Sequence, residues 1–314
     1  MGRHLLIYDV PWWILGKNAK IIQQYHPSLD LMSMSELDLY LGHKSSGELN
    51  RQYDHISAMC LGIAAYCVFK NIRIDSAAAV SYYYFSKHYE TYREWKDELV
   101  PDPDFLRLVI PRIGKLGAIN RRLASILQAL APSASVEYIG HFVDDQLFQP
   151  LPLARIDNAP FVIGWAGDPS KTSKNYNTLY MRIKEHFKSD EGIAFIETSG
   201  ACAYESMPGF YHKLNLLLNT GANEGSGATV LEAYACGVPV LSTNVGNAKD
   251  AAHPAAHGLI LDSDSPEDFI HKINYWRNRT DELREIGLRC RSHIESGWRI
   301  EHAMSRWLRV LFQI

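Results

Sequence analysis

Leu214-Asn-Leu-Leu-Leu-Asn-Thr-Gly-Ala-Asn-Glu-Gly-Ser-Gly-Ala-Thr-Val-Leu-Glu-Ala-Tyr-Ala-Cys-Gly-Val-Pro-Val240 decides the fold. Leu214 to Asn219 is a short uncharged apolar run, the pattern of a buried strand. A loop follows with Gly221, Gly225 and Gly227, then a helix over Thr229 to Cys236. Gly237 stops that helix, as a left-handed C-terminal cap would. Val238 to Ser242 reads as the next strand. Upstream, Phe161 to Trp165 is a strand, Asn177 to Phe187 a helix and Ile193 to Thr198 a strand. Downstream, Gly258 to Leu261 is a short strand. Ser265-Pro266-Glu267-Asp268 then forms an N-cap with Pro at the first helical position, and Phe269, Ile270, Ile273 and Trp276 make one helix face. Short strands alternating with helices imply an α/β chain with a parallel, doubly wound sheet.

The first half carries weaker signals. Leu5 to Val10 reads as a buried strand and Lys17 to Tyr25 as a helix. Met59 to Phe69 suits either a buried helix or a strand. Leu116, Ile119, Leu123, Ile126, Leu127 and Leu130 recur at helical spacing, and Val136 to Phe142 reads as a strand. Tyr82 to Trp95 is rich in aromatic and charged residues and has no period. Pro150, Pro152 and Pro160 bracket an aperiodic stretch, read as a linker with the boundary near Leu151. Ala303, Trp307, Val310 and Leu311 mark a final amphipathic helix.

A length of 314 residues is room for two domains. Apolar residues are 46% and charged residues 21%, which excludes disordered and collagen-like chains. The 32 basic and 35 acidic residues leave a net charge of −3. The stretch before Leu151 has 15 basic and 16 acidic residues and the remainder 17 and 19, so neither half has the basic excess of a nucleic-acid binder. Five cysteines without a CxxC pair read as buried thiols in a reducing compartment. The start resembles a first strand rather than a secretory leader, and the uncharged apolar run Ile56 to Phe69 is shorter than the ~20 residues of a spanning helix. The expectation is a soluble, cytoplasmic protein. Without H-E-x-x-H, a Walker A lysine loop or a G-x-S-x-G elbow, the metal-hydrolase, P-loop and α/β-hydrolase readings lose their usual support.

Ligands of open α/β sheets bind at the carboxyl ends of the strands. There, glycines without Cβ admit a ligand to the backbone, and free N–H groups at a helix start favour phosphate. Glu224 in the loop and Glu232 two turns into the helix add carboxylates suited to sugar hydroxyls. A nucleotide sugar has both groups. The plainer alternative is an ordinary Gly-rich turn and an ordinary helix glutamate.

Glu224-Gly225 through Glu232-Ala233-Tyr234-Ala235-Cys236-Gly237-Val238-Pro239-Val240 resembles the E-x7-E signature of retaining GT-B glycosyltransferases, especially glycosyltransferase family 4. Met207-Pro208-Gly209-Phe210-Tyr211, Ser242 to Gly246, Gly164-Trp165-Ala166-Gly167 with Lys174-Asn175-Tyr176, and Val143-Asp144 with Phe148 and Pro150 resemble further family motifs in the expected order. The resemblance runs from about Val136 to the C-terminus. It implies a GT-B fold, two Rossmann-like domains with parallel sheets facing across a cleft. Residues 1–150 would bind the acceptor and residues 151–298 the nucleotide sugar, while 299–314 would cross back to the first domain.

By the same resemblance, Glu224 and Lys174 are the catalytic candidates. Lys174 contacts the diphosphate, with Gly167 in the same loop. Glu224 lies near the sugar hydroxyls, the backbone of Gly225, Ser226, Gly227 and Ala228 lies near sugar and phosphate, and Glu232 holds the ribose. Where the family often has arginine after glycine, Asp168 follows Gly167, leaving Lys171 as a substitute. Trp12, Trp13 and His88 are acceptor-side candidates, with His55 and His141 as alternative histidines. Core packing is an equal reading of the two tryptophans, and an ordinary surface or core histidine the plainer reading of each histidine. Arg112, Lys115, Arg121 and Arg122 suit peripheral membrane contact or a solvated face.

The implied activity is retaining transfer from a nucleotide-diphosphate sugar, a UDP-sugar by family frequency, to a glycan, lipid-linked or small-molecule acceptor. No cofactor or metal is expected. The rivals are a nucleotide-sugar epimerase and a non-catalytic sugar-nucleotide-binding subunit.

Overall fold

The short apolar runs become parallel strands in both halves of the chain. The structure, a computed structural model, describes residues 2–151, 159–198 and 202–314. These form two units. Unit 1 comprises Met1–Lys87, Val100–His141 and Glu301–Ile314, and unit 2 comprises His88–Leu99 and Phe142–Ile300. The change of unit falls at His141/Phe142, where the sequence reading places it near Leu151. Within the expected linker, Pro152 lies outside the described residues.

Unit 1 is built on β1 (His4–Tyr8), β2 (Leu29–Ser33), β3 (His55–Ala58), β4 (Ile74–Ala79), β5 (Ile113–Ala118) and β6 (Ser135–Tyr138), all parallel, in the order β2-β1-β3-β4-β5-β6. Helices Ile14–Tyr25 and Leu61–Phe69 connect strands, and the last helix, Ile300–Phe312, puts Ala303, Trp307, Val310 and Leu311 into this core. Met59 to Phe69, open between helix and strand in the sequence, takes the helix, which starts at Leu61 just after β3 ends at Ala58. One sequence expectation needs correction. The helix expected from Leu116 begins only at Arg121. Leu116 and Gly117 belong to β5, where a Cβ on Gly117 would stand 2.9 Å from Ile139 and 3.1 Å from Val310. Asn120 then caps the helix Arg121–Leu130, its Oδ1 accepting from Leu123 N at 2.7 Å.

Unit 2 has β7 (Phe161–Trp165), β8 (Ile193–Glu197), β9 (Leu216–Asn219), β10 (Val240–Thr243) and β11 (Ile260–Leu261), parallel in the order β11-β10-β9-β7-β8. Leu216, Leu217 and Leu218 are buried, so the deciding apolar run fills the middle strand. The helix after it is Ala228–Ala235, and Gly237 behind it has φ +74° as its cap position requires. The expected Asn177–Phe187 helix is divided into a wide turn, Tyr176–Tyr180, and a helix, Met181–His186. Pro266 does start a helix, Pro266–Trp276, but the Ser265 hydroxyl donates to Glu267 instead of capping. The 18-residue helix Thr280–Gly297 escaped the sequence reading, although Leu283, Gly287, Cys290 and Ile294 mark its buried face.

Cys67, Cys236 and Cys290 are buried, whereas Cys60 and Cys202 are only half-buried. No helix among the described residues is long and apolar enough to cross a membrane.

Candidate functional site

The strand order of unit 2 reverses between its neighbours β7 and β9. Connections leaving their carboxyl ends run to opposite sides, which opens a crevice at that point. The loops after these two strands hold Lys174 and Glu224. Lys174 Nζ donates to Glu224 Oε1, and both side chains are largely buried. The lysine loop is tied to the glutamate loop through its backbone carbonyls. Thr220 Oγ1 donates to the Lys174 carbonyl at 2.7 Å, and Ala222 N donates to the Ser173 carbonyl at 2.7 Å. Trp165, at the end of β7, donates from Nε1 to Thr220 Oγ1 at 3.0 Å. A Cβ on Gly167 would stand 2.9 Å from the Trp165 ring, so glycine lets the loop close over that indole. From β10, Thr243 Oγ1 donates to the Gly221 carbonyl at 2.6 Å.

Gly227 then turns the chain into the helix with φ +76°. The N–H groups of Ser226, Gly227 and Ala228 meet no acceptor among the described residues. Beside Lys174 these form a donor row at the positive end of a helix, the arrangement that attracts an anion. Glu232 lies in the next turns, buried, with Oε2 accepting from the Tyr211 hydroxyl at 2.7 Å. Burial, then the Glu232 charge, raises the Tyr211 phenol well above its ordinary value, so Tyr211 remains a donor to that carboxylate.

Residues 156–291 match the family described as glycosyl transferases group 1. The matched stretch lies within unit 2. An uncharacterized glycosyltransferase of Methanocaldococcus jannaschii is 30% identical over 109 residues, 35% of this chain and 31% of that protein. D-inositol 3-phosphate glycosyltransferase of Paenarthrobacter aurescens is 27% identical over 116 residues, 36% of this chain and 28% of that one. The matched stretch thus spans about a third or less of these curated relatives. Among solved structures, sucrose-phosphate synthase of Thermosynechococcus elongatus superposes with TM-score 0.76 at 10% identity, over 99% of this chain and 98% of that one. Anabaena HepE in complex with UDP gives TM-score 0.71 at 12% identity, over 99% and 100%. The fold is therefore that of the GT-B glycosyltransferases.

Unit 2 brings Gly167, Lys174, Glu224 and the Gly225–Ala228 backbone to one place, with Glu232 in the adjoining helix. Asp168 caps its own turn, accepting from Ser170 N at 2.9 Å and Ser170 Oγ at 2.6 Å. These bonds, and then Lys171 and Lys174, hold its carboxyl below the usual range. Lys171 is exposed, so the lysine loop keeps a second cation despite the missing arginine. His88 is exposed within unit 2, while Trp12 and Trp13 are 71% and 60% exposed in the loop after β1 of unit 1. Of the alternative histidines, His55 is buried at the amino-terminal start of β3, the wrong end of a parallel sheet for a ligand. His141 is buried against Asn18, Nε2 to Nδ2 3.3 Å. Among the described residues, no three His, Cys, Asp or Glu side chains cluster as a metal site would need.

Sequence reasoning missed Glu94, whose carboxylate sits against the Glu224 loop of unit 2. Its stretch has neither period nor motif, and only the density of aromatic and charged residues around it was visible.

Proposed function

We propose that this chain is a retaining glycosyltransferase that transfers a sugar from a UDP-sugar to a glycan, lipid-linked or small-molecule acceptor, without a metal ion. The observation that carries the reading is the Lys174–Glu224 pair beside the open N–H groups of Ser226 to Ala228. As the glycosidic bond breaks, negative charge grows on the leaving diphosphate and the sugar becomes oxocarbenium-like. A lysine and a helix N-terminus already aimed at the phosphates stabilise that charge without reorganising. Glu224 accepts hydrogen bonds from sugar hydroxyls while its partner Lys174 turns to phosphate. Glu232, oriented by Tyr211, takes the ribose hydroxyls. Attack and departure then occur on the same face of the sugar. Solved complexes of Anabaena HepE with UDP and with UDP-glucose support the choice of donor. The acceptor is assigned to the N-terminal domain.

A thermal-shift panel of UDP, GDP, dTDP and ADP, with and without EDTA, tests this. A ligand at a hundred times its dissociation constant adds about 2.7 kcal/mol, which moves the midpoint by several degrees. The expected result is a shift selective for UDP and unchanged by EDTA. Absence of any shift would move the non-catalytic subunit to first place.

A further inference from the structure

One wall of the candidate donor site comes from far upstream in the chain. His88–Leu99 belongs to unit 2, although the residues on either side of it belong to unit 1. The segment is fastened to the donor loop chiefly through its backbone. Asn223 Nδ2 donates to the carbonyls of Tyr89 and Tyr92 at 2.8 and 2.9 Å, and Glu94 N donates to the Ala222 carbonyl at 3.1 Å. Arg93 Nε donates to Asp264 Oδ2 at 2.6 Å.

These fastenings hold Glu94, only 2% exposed, between two loops. Its Oε1 accepts from Glu224 N at 2.6 Å and from Gly246 N at 3.2 Å, and its Oε2 accepts from Gly246 N at 3.0 Å. A buried carboxylate is costly unless hydrogen-bonded, and charge-assisted bonds to backbone N–H groups are strong. The two loops meet closely. Asn247 N donates to the Ser226 carbonyl at 2.9 Å, and a Cβ on Gly246, at φ +55°, would stand 2.8 Å from that same oxygen.

We propose that Glu94 is a positioning residue of the donor site, a resident anion that locks the loop after β9 to the turn after β10 and so sets Glu224 against Lys174. The inference rests on the glycosyltransferase reading of that site. It divides the backbone donors in two: those of Glu224 and Gly246 serve Glu94, while those of Ser226 to Ala228 stay open to the ligand. The anchoring favours a brace over a plug. Every fastening named runs to the site's own loops or to Asp264, and the carboxylate is sealed from solvent.

The test compares wild type with Glu94→Gln, which keeps size but turns one acceptor into a donor facing an N–H. Hydrogen exchange should rise in peptides covering 221–228 and 244–248. UDP release from UDP-glucose should fall about tenfold to a hundredfold, as misplacement of a reacting group does, with UDP affinity nearly unchanged. Asn223→Ser, which loosens the segment without altering Glu94, should move exchange and turnover the same way by less, and serves if the Gln variant does not fold. Unchanged exchange in the folded variants overturns the brace. Tighter UDP binding or faster turnover in Glu94→Gln also overturns it, and makes the segment a competitor of the donor. If wild type neither binds UDP nor releases it from UDP-glucose, the glycosyltransferase reading fails, and the exchange measurement still decides the brace.

Discussion

Each unit has one place where the strand order of its parallel sheet reverses, and the two places are furnished differently. In unit 2 the reversal between β7 and β9 carries an ion pair, Lys174 with Glu224, and a row of open backbone donors. In unit 1 the reversal lies between β1 and β3. The loop after β1 carries Trp12 and Trp13, both exposed, and Asp9, whose Oδ1 is buried without a partner among the described residues. Burial pushes the Asp9 carboxyl up from its ordinary value. Topology thus marks a crevice in both units, while the side chains decide its chemistry. One offers a lysine and open backbone donors, which suit an anion. The other offers flat aromatic surface and a carboxyl group.

The strongest way to break this contrast is Glu224→Ala. If the charged crevice is the donor site, release of UDP from UDP-glucose should drop about a hundredfold or more, in line with loss of one preorganised polar group. The thermal shift with UDP should persist, because Lys174 and the open N–H groups remain. Normal turnover in this variant would remove the chemistry from unit 2.

Glu232→Ala should act on binding instead. UDP affinity should fall about tenfold, or 1.4 kcal/mol, measured by titration calorimetry. The substitution also orphans the fully buried Tyr211 hydroxyl, at a stability cost of about 1–3 kcal/mol. The two variants should therefore separate cleanly, one in rate and one in affinity.

The difference between the units also explains what the sequence made legible. Unit 2 could be read because its strand, glycine loop and helix are contiguous, and Gly227 and Gly237 sit where left-handed backbone is needed. Lys174 and Glu224 are distant in sequence, and it was the family pattern that linked them. Unit 1 misled where strand and helix follow without a break in apolar spacing. Leu116 and Ile119 fit the helical period of Leu123 and Leu127, but Gly117 packs under Ile139 and Asn120 supplies the helix start. Glu94 was illegible for a different reason. Its role depends on backbone N–H groups of Glu224 and Gly246, and no residue type announces a contact of that kind.

The smallest expected effect separates the units by pH. At the amino-terminal edge of the unit 1 sheet, His4, His26 and His55 surround Phe312 at the end of the last helix, with ring centroids 5.9, 5.1 and 6.1 Å from it. His4 Nδ1 and His26 Nε2 are 2.7 Å apart. Burial lowers all three histidines below 6.5, and for His26 the charges of His4 and His55 add to the effect. Asp54 and Asp75 oppose the shift without reversing it. A lowered folded value means that the unfolded chain takes up protons first as pH falls. The stability of the neutral cluster is thus fully present above the unfolded value of 6.5, and it is lost as pH falls toward the folded values. Urea unfolding, with the fragments of each unit separated by pulse proteolysis, should show the midpoint of unit 1 falling between about pH 8 and about pH 5. His26→Gln should flatten that dependence by removing the central charge. A midpoint that falls as steeply in the variant as in wild type would place the acid sensitivity outside the cluster, and leave the rings only their packing against Phe312.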